Sequence, residues 1–159
     1  MLRAARIRAL ADVRSQPGSR RHPHFGATSL EAALCEIGIA YLHLPELGGR
    51  REPRADSPHR ALRVAAFRGY ADHMDTEEFA RGYERLTSLA QKSRTAFMCA
   101  ETLWWRCHRK LIADRLTADE WTVTHLLTPG KSAPHVLWDV ARTLDGHLVY
   151  DDGRLPLPT

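Results

Sequence analysis

The stretch RIRALADVR, residues 6–14, contains a short apolar run that ends at a charged pair, Asp12 and Arg14. A continuous apolar run bounded by polar residues is typical of a buried strand, although the alanines also fit a helix. Two further runs of this kind follow, IAYLHL at residues 39–44 and TAFMCA at residues 95–100. Helical patterns separate the three runs. This alternation predicts an α/β fold with a mostly parallel sheet and helices on both faces, a three-layer, Rossmann-like arrangement.

The carboxyl ends of parallel strands lie at one edge of a sheet, and ligands of α/β proteins bind beyond that edge. In chain order, the three predicted strand ends carry Asp12 and Arg14, then Tyr41 and His43, then Cys99 and Glu101. These residues are far apart in sequence. We therefore expect them to converge along one rim if the three strands run in the same direction.

The helices are predicted from their N-terminal signals. Thr28 and Glu31 have the spacing of a capping box. Asp75 and Glu78 form a second cap, for a helix that runs to about Lys92.

The C-terminal part of the chain predicts one more helix and two kinds of strand. Residues 103–116 form a helical pattern that directly follows the third strand, and residues 121–127, WTVTHLL, predict a fourth strand. A Leu-Asp-Gly segment further on indicates an antiparallel hairpin. We expect a single α/β domain at residues 1–128 and a C-terminal extension, packed as a hairpin, at residues 129–159.

Length and composition restrict the classes of protein that remain. The chain has 159 residues and is 43% hydrophobic, which suits one domain with a real core. No apolar run approaches the length of a membrane span, and arginines interrupt the N-terminal segment too often for a signal peptide. Three cysteines without a CxxC pair indicate neither a disulfide framework nor a zinc module. We expect a reduced, cytoplasmic protein with no membrane partner.

The basic excess comes almost entirely from arginine. The formal net charge is +4, the pI is about 9.2, and only three of the 23 basic residues are lysine. Arginine binds phosphates and carboxylates in a bidentate manner, so a small anionic ligand is one interpretation of this excess. A codon bias toward arginine explains the excess equally well, which weakens net charge as an argument for nucleic-acid binding.

The densest group of reactive side chains is CAETLWWRCHR, residues 99–109. Cys99 is expected at the end of a strand, just before a helix whose N-terminus would hold an anion and lower the pKa of a facing thiol. Glu101 is expected near the helix cap, and His108 is a potential partner for the thiol. Cys107 also has the helical spacing of a core residue, and Cys35 is expected in the core.

Two specific chemistries are disfavoured by spacing. In thiol phosphatases an arginine lies six residues after the cysteine within a glycine-rich loop, whereas here the sixth residue is Trp105 and the loop has no glycine. The positions of Cys99, Cys107 and His108 match no standard zinc-ligand pattern, so we predict no metal site. No sequence feature identifies a cofactor.

Four segments, DVRSxPxSRR, YxHLPELGGRR, FRGYADHM and CAE…WRCHR, occur in this order and resemble the family called domain of unknown function 488. The likeness runs from about Arg6 to Leu127 and implies no settled activity. Members of this family usually begin with another strand that carries an Ile-Gly-His-Ser-type turn. We expect this N-terminal strand to be missing here, either because the start is truncated or misassigned or because this member dispenses with the element. The resemblance implies that the shared motifs include Asp12, Arg14, Ser19, Arg21, Gly48, Gly49, Arg68, Gly69, Tyr70, Cys99, Glu101, Cys107, His108 and Arg109.

The residues and the resemblance together give a set of candidate site residues. The candidate catalytic groups are Cys99, Glu101 and His108. The candidate ligand-binding groups are Asp12, Arg14, Ser19, Arg21, His43, Gly48, Gly49, Arg68, Tyr70, Arg106, Cys107 and Arg109.

Three functional hypotheses follow from these residues. The first is an enzyme-like pocket for a small anionic or nucleotide-type ligand at the carboxyl edge of the sheet. The second is a non-catalytic module that binds nucleic acid or a protein through arginines and an exposed tryptophan. The third is a structural group of hydrogen bonds around Arg109.

Overall fold

The computed structural model describes residues 1–18 and 22–151. Its strands are β1 (Ala9–Asp12), β2 (Ala40–His43), β3 (Thr95–Met98), β4 (Thr124–Thr128), β5 (Lys131–Pro134), β6 (Ala141–Leu144) and β7 (His147–Tyr150). Its α-helices are α1 (Ala27–Glu36), α2 (Ala65–His73), α3 (Glu77–Lys92) and α4 (Arg109–Ala118), and short 3-10 turns lie at Pro23–Phe25, Pro45–Leu47 and Trp104–Arg106. Within the described residues, none of these helices has the length and hydropathy needed to cross a bilayer.

A three-stranded parallel sheet in the order β2-β1-β3 organises the fold. In its register, Asp12 is opposite His43 on one side and Met98 on the other, so the three carboxyl ends are level. All four residues of β1 are buried, as the continuous apolar run of a central parallel strand predicts. The predicted parallel direction of the first three strands is confirmed.

Apolar clusters lie on the two faces of this sheet because successive side chains of a strand point to opposite sides. Leu10 packs with Leu34 of α1 and with Ile39. Ala11, on the other face, belongs to a larger cluster built mainly from α2, α3, α4 and β7. In α3 the buried residues include Phe79 and Leu86.

Several helix starts differ from the sequence prediction. Helix α1 begins at Ala27 after Gly26, so the predicted capping box is wrong. Helix α3 is capped by Thr76, whose hydroxyl accepts a hydrogen bond from the Phe79 amide at 3.2 Å. The expectation that Cys35 lies in the core is also wrong, because the face of α1 that carries it is exposed.

The helix predicted at residues 103–116 begins later than expected. A 3-10 turn occupies Trp104–Arg106, Cys107 is extended, and α4 starts only at Arg109. Cys99 is therefore separated from the helix N-terminus by a loop. The expected position of Glu101 at the helix cap is wrong, since His108 is the N-cap residue.

The two hairpins lie outside the parallel sheet. Strand β4 pairs antiparallel with β5, so the fourth strand exists but does not extend the β2-β1-β3 sheet. Residues 121–125, which lead into β4, alternate between exposed and less exposed positions, which is typical of an antiparallel strand covered on one face. Strands β6 and β7 form the hairpin expected at Leu-Asp-Gly, with Asp145 and Gly146 both at positive φ in its turn. Tyr150 of β7 is fully buried in the main cluster.

Candidate functional site

Asp12 is the centre of a buried network at the carboxyl end of β1. Its carboxylate accepts hydrogen bonds from Arg14 Nε at 2.8 Å and Nη2 at 2.5 Å, and from the Tyr41 hydroxyl at 2.7 Å. Asp12 is 0% exposed and Arg14 is 8% exposed. The guanidinium of Arg14 is thus engaged by a carboxylate of the protein itself.

These contacts set the charge states of the network. Burial raises the pKa of Asp12, but the hydrogen bonds from Arg14 and Tyr41 outweigh burial and hold this pKa below its ordinary value. Burial and the hydrogen bond to Asp12 raise the pKa of Tyr41. The network therefore holds an ionised carboxylate, a guanidinium and a neutral phenol.

His43 joins the end of β2 to this network. Its Nε2 lies 2.8 Å from the Arg14 carbonyl oxygen. A carbonyl only accepts hydrogen bonds, so Nε2 carries a proton and donates it. The chain immediately after β1 is therefore held from two sides, by its own ion pair and by His43.

A second cluster forms where the chain leaves β3. The Sγ atoms of Cys99 and Cys107 are 3.3 Å apart, and Cys107 Sγ lies 3.5 Å from His108 Nδ1. The two sulfurs and this nitrogen all lie within 4.8 Å of one another. Cys107 is buried, and Cys99 and His108 are half-buried. Three potential metal ligands or reactive groups therefore meet at one point.

The orientation of His108 is fixed by its surroundings. Its Nε2 lies 3.2 Å from the Val13 carbonyl oxygen, so Nε2 carries the proton and Nδ1 turns toward Cys107. The Tyr70 ring packs against the imidazole, with 5.0 Å between ring centroids. A Cβ atom at Gly49 would lie only 2.7 Å from Nδ1, so a glycine there leaves room for the ring. These contacts attach the cluster to the chain after β1.

The two thiols differ in acidity. The hydrogen bond with Cys99, then the interaction with His108, lowers the pKa of Cys107, although burial opposes this. The hydrogen bond with Cys107, together with burial, raises the pKa of Cys99. The expected lowering of the Cys99 pKa by a helix N-terminus is therefore wrong, because α4 begins ten residues further on.

Arg109 closes the loop that carries the cluster. Its Nε donates to Cys107 Sγ at 3.4 Å, and its Nη2 donates to the Glu101 carbonyl oxygen. The side chain of Arg109 thus spans residues 101 to 107 and holds the loop in its turn. Glu101 itself is exposed.

The remaining predicted site residues have varied environments. Gly48 allows close approach to residue 15, since a Cβ atom there would lie 2.2 Å from the Ser15 hydroxyl oxygen. Arg68 donates to the Leu62 carbonyl oxygen at 3.1 Å, and the buried Tyr70 donates to the Leu47 carbonyl oxygen at 2.8 Å. Arg68 and Tyr70 of α2 thus fix the segment that connects the turn at Pro45–Leu47 to the start of α2.

Arg106 is exposed, beside Trp105, which is 47% exposed. The predicted residues Ser19 and Arg21 lie outside the described residues.

A neighbouring histidine network was not predicted from the sequence. His125 Nε2 lies 2.8 Å from His135 Nδ1, and His135 Nε2 lies 2.9 Å from Asp114 Oδ1. Trp104 stacks on His125 with 3.6 Å between centroids, which connects the network to the loop that carries the thiols. Burial, then the nearby His135 and Arg109, lowers the pKa of His125 to about 4. The available signal was the alternation WTVTH at residues 121–125, which places His125 on the same side as Trp121 and Val123.

Two surface clefts are lined by residues outside the thiol cluster. One of about 300 Å³ is lined by residues of α1 and β2, including Cys35 and Tyr41. The other, of about 480 Å³, is lined by loop residues 53–57 with Arg60 and Arg68. Neither contains a member of the thiol cluster among its lining residues.

The comparisons with known proteins agree with the motif resemblance. Residues 1–116 match the family model described as Domain of unknown function DUF488. The matched region includes the three parallel strands and all residues of the thiol cluster. No curated protein and no solved structure matches the chain.

Proposed function

The chain belongs to the family Domain of unknown function DUF488, and from the geometry of its own site we propose that it binds a small anionic ligand, of phosphate or nucleotide type, in an enzyme-like site at the carboxyl edge of the sheet. The observation that carries this proposal is the contact of His108 Nε2 with the Val13 carbonyl oxygen, at 3.2 Å across 95 positions of sequence. This contact joins the loop of the thiol cluster to the end of β1. Ligands of α/β sheets bind beyond such strand ends.

The charges at this edge favour an anion. Arg14 is neutralised by Asp12, and Arg51 pairs with Glu78. By contrast, Arg109 donates to a sulfur and a carbonyl oxygen, and no carboxylate of the described residues lies within ion-pair distance of it. We propose that Arg109 and the exposed Arg106 bind the negative charge of the ligand. Arg14 supports the site by holding the chain after β1 through its ion pair with Asp12.

The candidate chemical groups are those of the loop after β3. His108 faces the two sulfurs with a fixed tautomer and is the candidate proton carrier. Cys99 is the less buried of the two thiols, and Glu101 is exposed at the rim. Cys107 Sγ lies 3.3 Å from Cys99 Sγ, and this contact lowers the pKa of Cys107, so Cys107 belongs to the reactive group with Cys99.

The experiment is a thermal-shift and calorimetric screen of inorganic phosphate, nucleotides and phosphorylated metabolites. A bound anion should raise the melting temperature of the wild type, because ligand binding to the folded state stabilises it by mass action. Arg109→Gln should abolish the shift, while Arg81→Gln, an exposed arginine on α3, should retain it. An equal shift in all three proteins, or none with any anion, would exclude this site.

An alternative function is a nucleic-acid-binding module. It is favoured by the exposed Trp105 beside the exposed Arg106, since bases stack on such aromatic rings and arginine holds the backbone. Its binding would weaken steeply as salt rises. If Trp105→Ala left binding of single-stranded DNA and RNA unchanged, the module would lose its support.

We extend the proposal to the architecture and location. The clusters on opposite faces of the sheet support a three-layer, Rossmann-like arrangement for residues 1–128, with residues 129–159 as a packed extension. The free thiols of Cys35, Cys99 and Cys107 support a cytoplasmic location. Leu148 and Tyr150 lie in the main cluster. Deletion of residues 129–159 is therefore expected to lower the urea midpoint of the domain rather than leave it unchanged.

A further inference from the structure

We propose that Cys99, Cys107 and His108 bind one zinc ion, and that its fourth coordination position takes the oxygen of the anionic ligand. The inference rests on the proposed function only for the identity of this fourth ligand. The sequence prediction of no metal site was based on spacing along the chain, whereas the proposal is based on the positions of the donor atoms.

The sulfur–nitrogen distance agrees with a tetrahedral site, and the sulfur–sulfur distance is shorter than such a site requires. Zinc bonds of about 2.3 Å to sulfur and about 2.0 Å to nitrogen place a sulfur and a nitrogen about 3.5 Å apart and two sulfurs about 3.8 Å apart. Cys107 Sγ and His108 Nδ1 are 3.5 Å apart, and the two sulfurs are 3.3 Å apart. A movement of the half-buried Cys99 that lengthens the sulfur–sulfur distance by about 0.5 Å would complete the geometry. Two cysteines and one histidine with an open position form a known class of catalytic zinc site.

The second contact of His108 is the one that metal-binding histidines make. Such a histidine usually donates its other ring N–H to a carbonyl or carboxylate, which fixes the tautomer and directs the lone pair at the metal. Here Nε2 donates to the Val13 carbonyl oxygen, and Nδ1 is directed at the thiols. Gly49 and Tyr70 hold the ring from its sides. The imidazole is therefore oriented before any ion binds.

The local charge predicts the fourth ligand. Two thiolates neutralise a divalent zinc ion, and the histidine adds no charge. Arg109, which donates to Cys107 Sγ, then leaves the site with one positive charge. An anionic oxygen, from phosphate, a carboxylate or hydroxide, balances this charge, and the zinc would polarise that ligand as a Lewis acid.

The 3-10 turn explains why spacing concealed the site. Seven residues separate the cysteines, and a continuous helix through Cys107 would carry it far from Cys99. The turn at Trp104–Arg106 and the extended Cys107 reverse the chain instead, and the hydrogen bond from Arg109 to the Glu101 carbonyl oxygen closes the loop.

The test uses the full, tag-free chain, reduced and freed of metal, and titrated with Co²⁺ as a spectroscopic substitute for zinc. We expect one ion per chain, with the sulfur-to-cobalt charge-transfer absorption and intense visible bands of a four-coordinate thiolate site. Cys107→Ser and His108→Gln should lose these bands, while Cys35→Ser, an exposed cysteine on α1, should retain them. Zinc added to the cobalt protein should displace the ion.

A second measurement on the wild type does not depend on folding of the variants. Zinc should protect Cys99 and Cys107 from iodoacetamide while Cys35 is alkylated with or without zinc, as mass spectrometry of peptides would show. Absence of cobalt bands together with equal alkylation of Cys99 in both conditions would overturn the proposal.

Addition of phosphate then tests the open position. A change in the visible cobalt bands is expected, and unchanged bands at saturating phosphate would refute the anionic fourth ligand. The two proposals fail separately. Cobalt bands without any anion binding would refute the proposed function and the anionic fourth ligand but would support the three-residue metal site, and anion binding without cobalt bands would refute the metal site alone.

Discussion

Replacement of Arg14 by methionine tests whether this arginine is a partner of Asp12 or a free ligand-binding group. The substitution keeps an unbranched apolar side chain but removes both guanidinium hydrogen bonds to a carboxylate that is 0% exposed. Removal of one partner of a buried ion pair costs about 3–5 kcal/mol because a charge remains without compensation. The Tyr41 hydroxyl and the Arg14 backbone amide still reach Asp12, so we expect the lower part of this range.

Urea unfolding followed by circular dichroism measures this loss. A loss of about 3 kcal/mol is a large share of the roughly 5–15 kcal/mol that stabilises an ordinary domain. The matched control is the double variant Asp12→Asn/Arg14→Met, which removes the buried charge and should be more stable than Arg14→Met alone. A single variant within about 0.5 kcal/mol of the wild type, the usual range for surface substitutions, would refute the view that Arg14 serves Asp12.

Three further predictions concern glycine contacts and acid stability. In Gly69→Ala the new Cβ would lie 2.2 Å from the Arg51 carbonyl oxygen, which is backbone, so urea unfolding should show a loss of roughly 3 kcal/mol or more. In Gly49→Ala the Cβ would displace the His108 ring, so the Co²⁺ affinity should fall, while Gly18→Ala, where the Cβ meets nothing within 4 Å, should leave it unchanged. The pKa of His125 is about 4 in the folded chain and about 6.5 when unfolded, so the unfolded state binds more protons between these values. The free energy of unfolding should therefore fall by up to about 3 kcal/mol as the pH is lowered from 6.5 to 4, and should not fall further through His125 below pH 4. The urea midpoints of His125→Gln should lack this decrease between pH 6.5 and pH 4. A variant that keeps the full acid dependence would contradict the assignment to His125.

The sequence predicts the part of the fold in which local pattern and tertiary environment agree. Strand β1 is buried on both faces, and its continuous apolar run is the signal of a central parallel strand. Given three parallel strands, the convergence of Asp12, His43 and the start of the loop after β3 follows from topology alone. The sequence also allows the Asp12–Arg14 ion pair, because residues two apart in an extended chain point to the same side.

The parts that differ depend on long-range packing. The helical pattern covers residues 103–116, but the helix begins only at Arg109. The residues before it are not helical because the Arg109 side chain hydrogen-bonds back to the loop and Trp104 stacks on His125 of a distant hairpin. No pattern of neighbouring residues in the sequence predicts either contact. The antiparallel pairing of β4 was likewise concealed, since its partner β5 is a polar segment, Lys131–Pro134, without a strand-like pattern.

The most direct test of the site at the carboxyl edge is the ¹⁵N NMR spectrum of the chain titrated with inorganic phosphate in the presence of zinc. The predicted result is a set of amide shifts confined to Val13–Ser15, Gly48, Gly49 and Cys99–Arg109. Shifts confined to the cleft beside Cys35 or to loop residues 53–57, with the amides of Cys99–Arg109 unmoved, would contradict it.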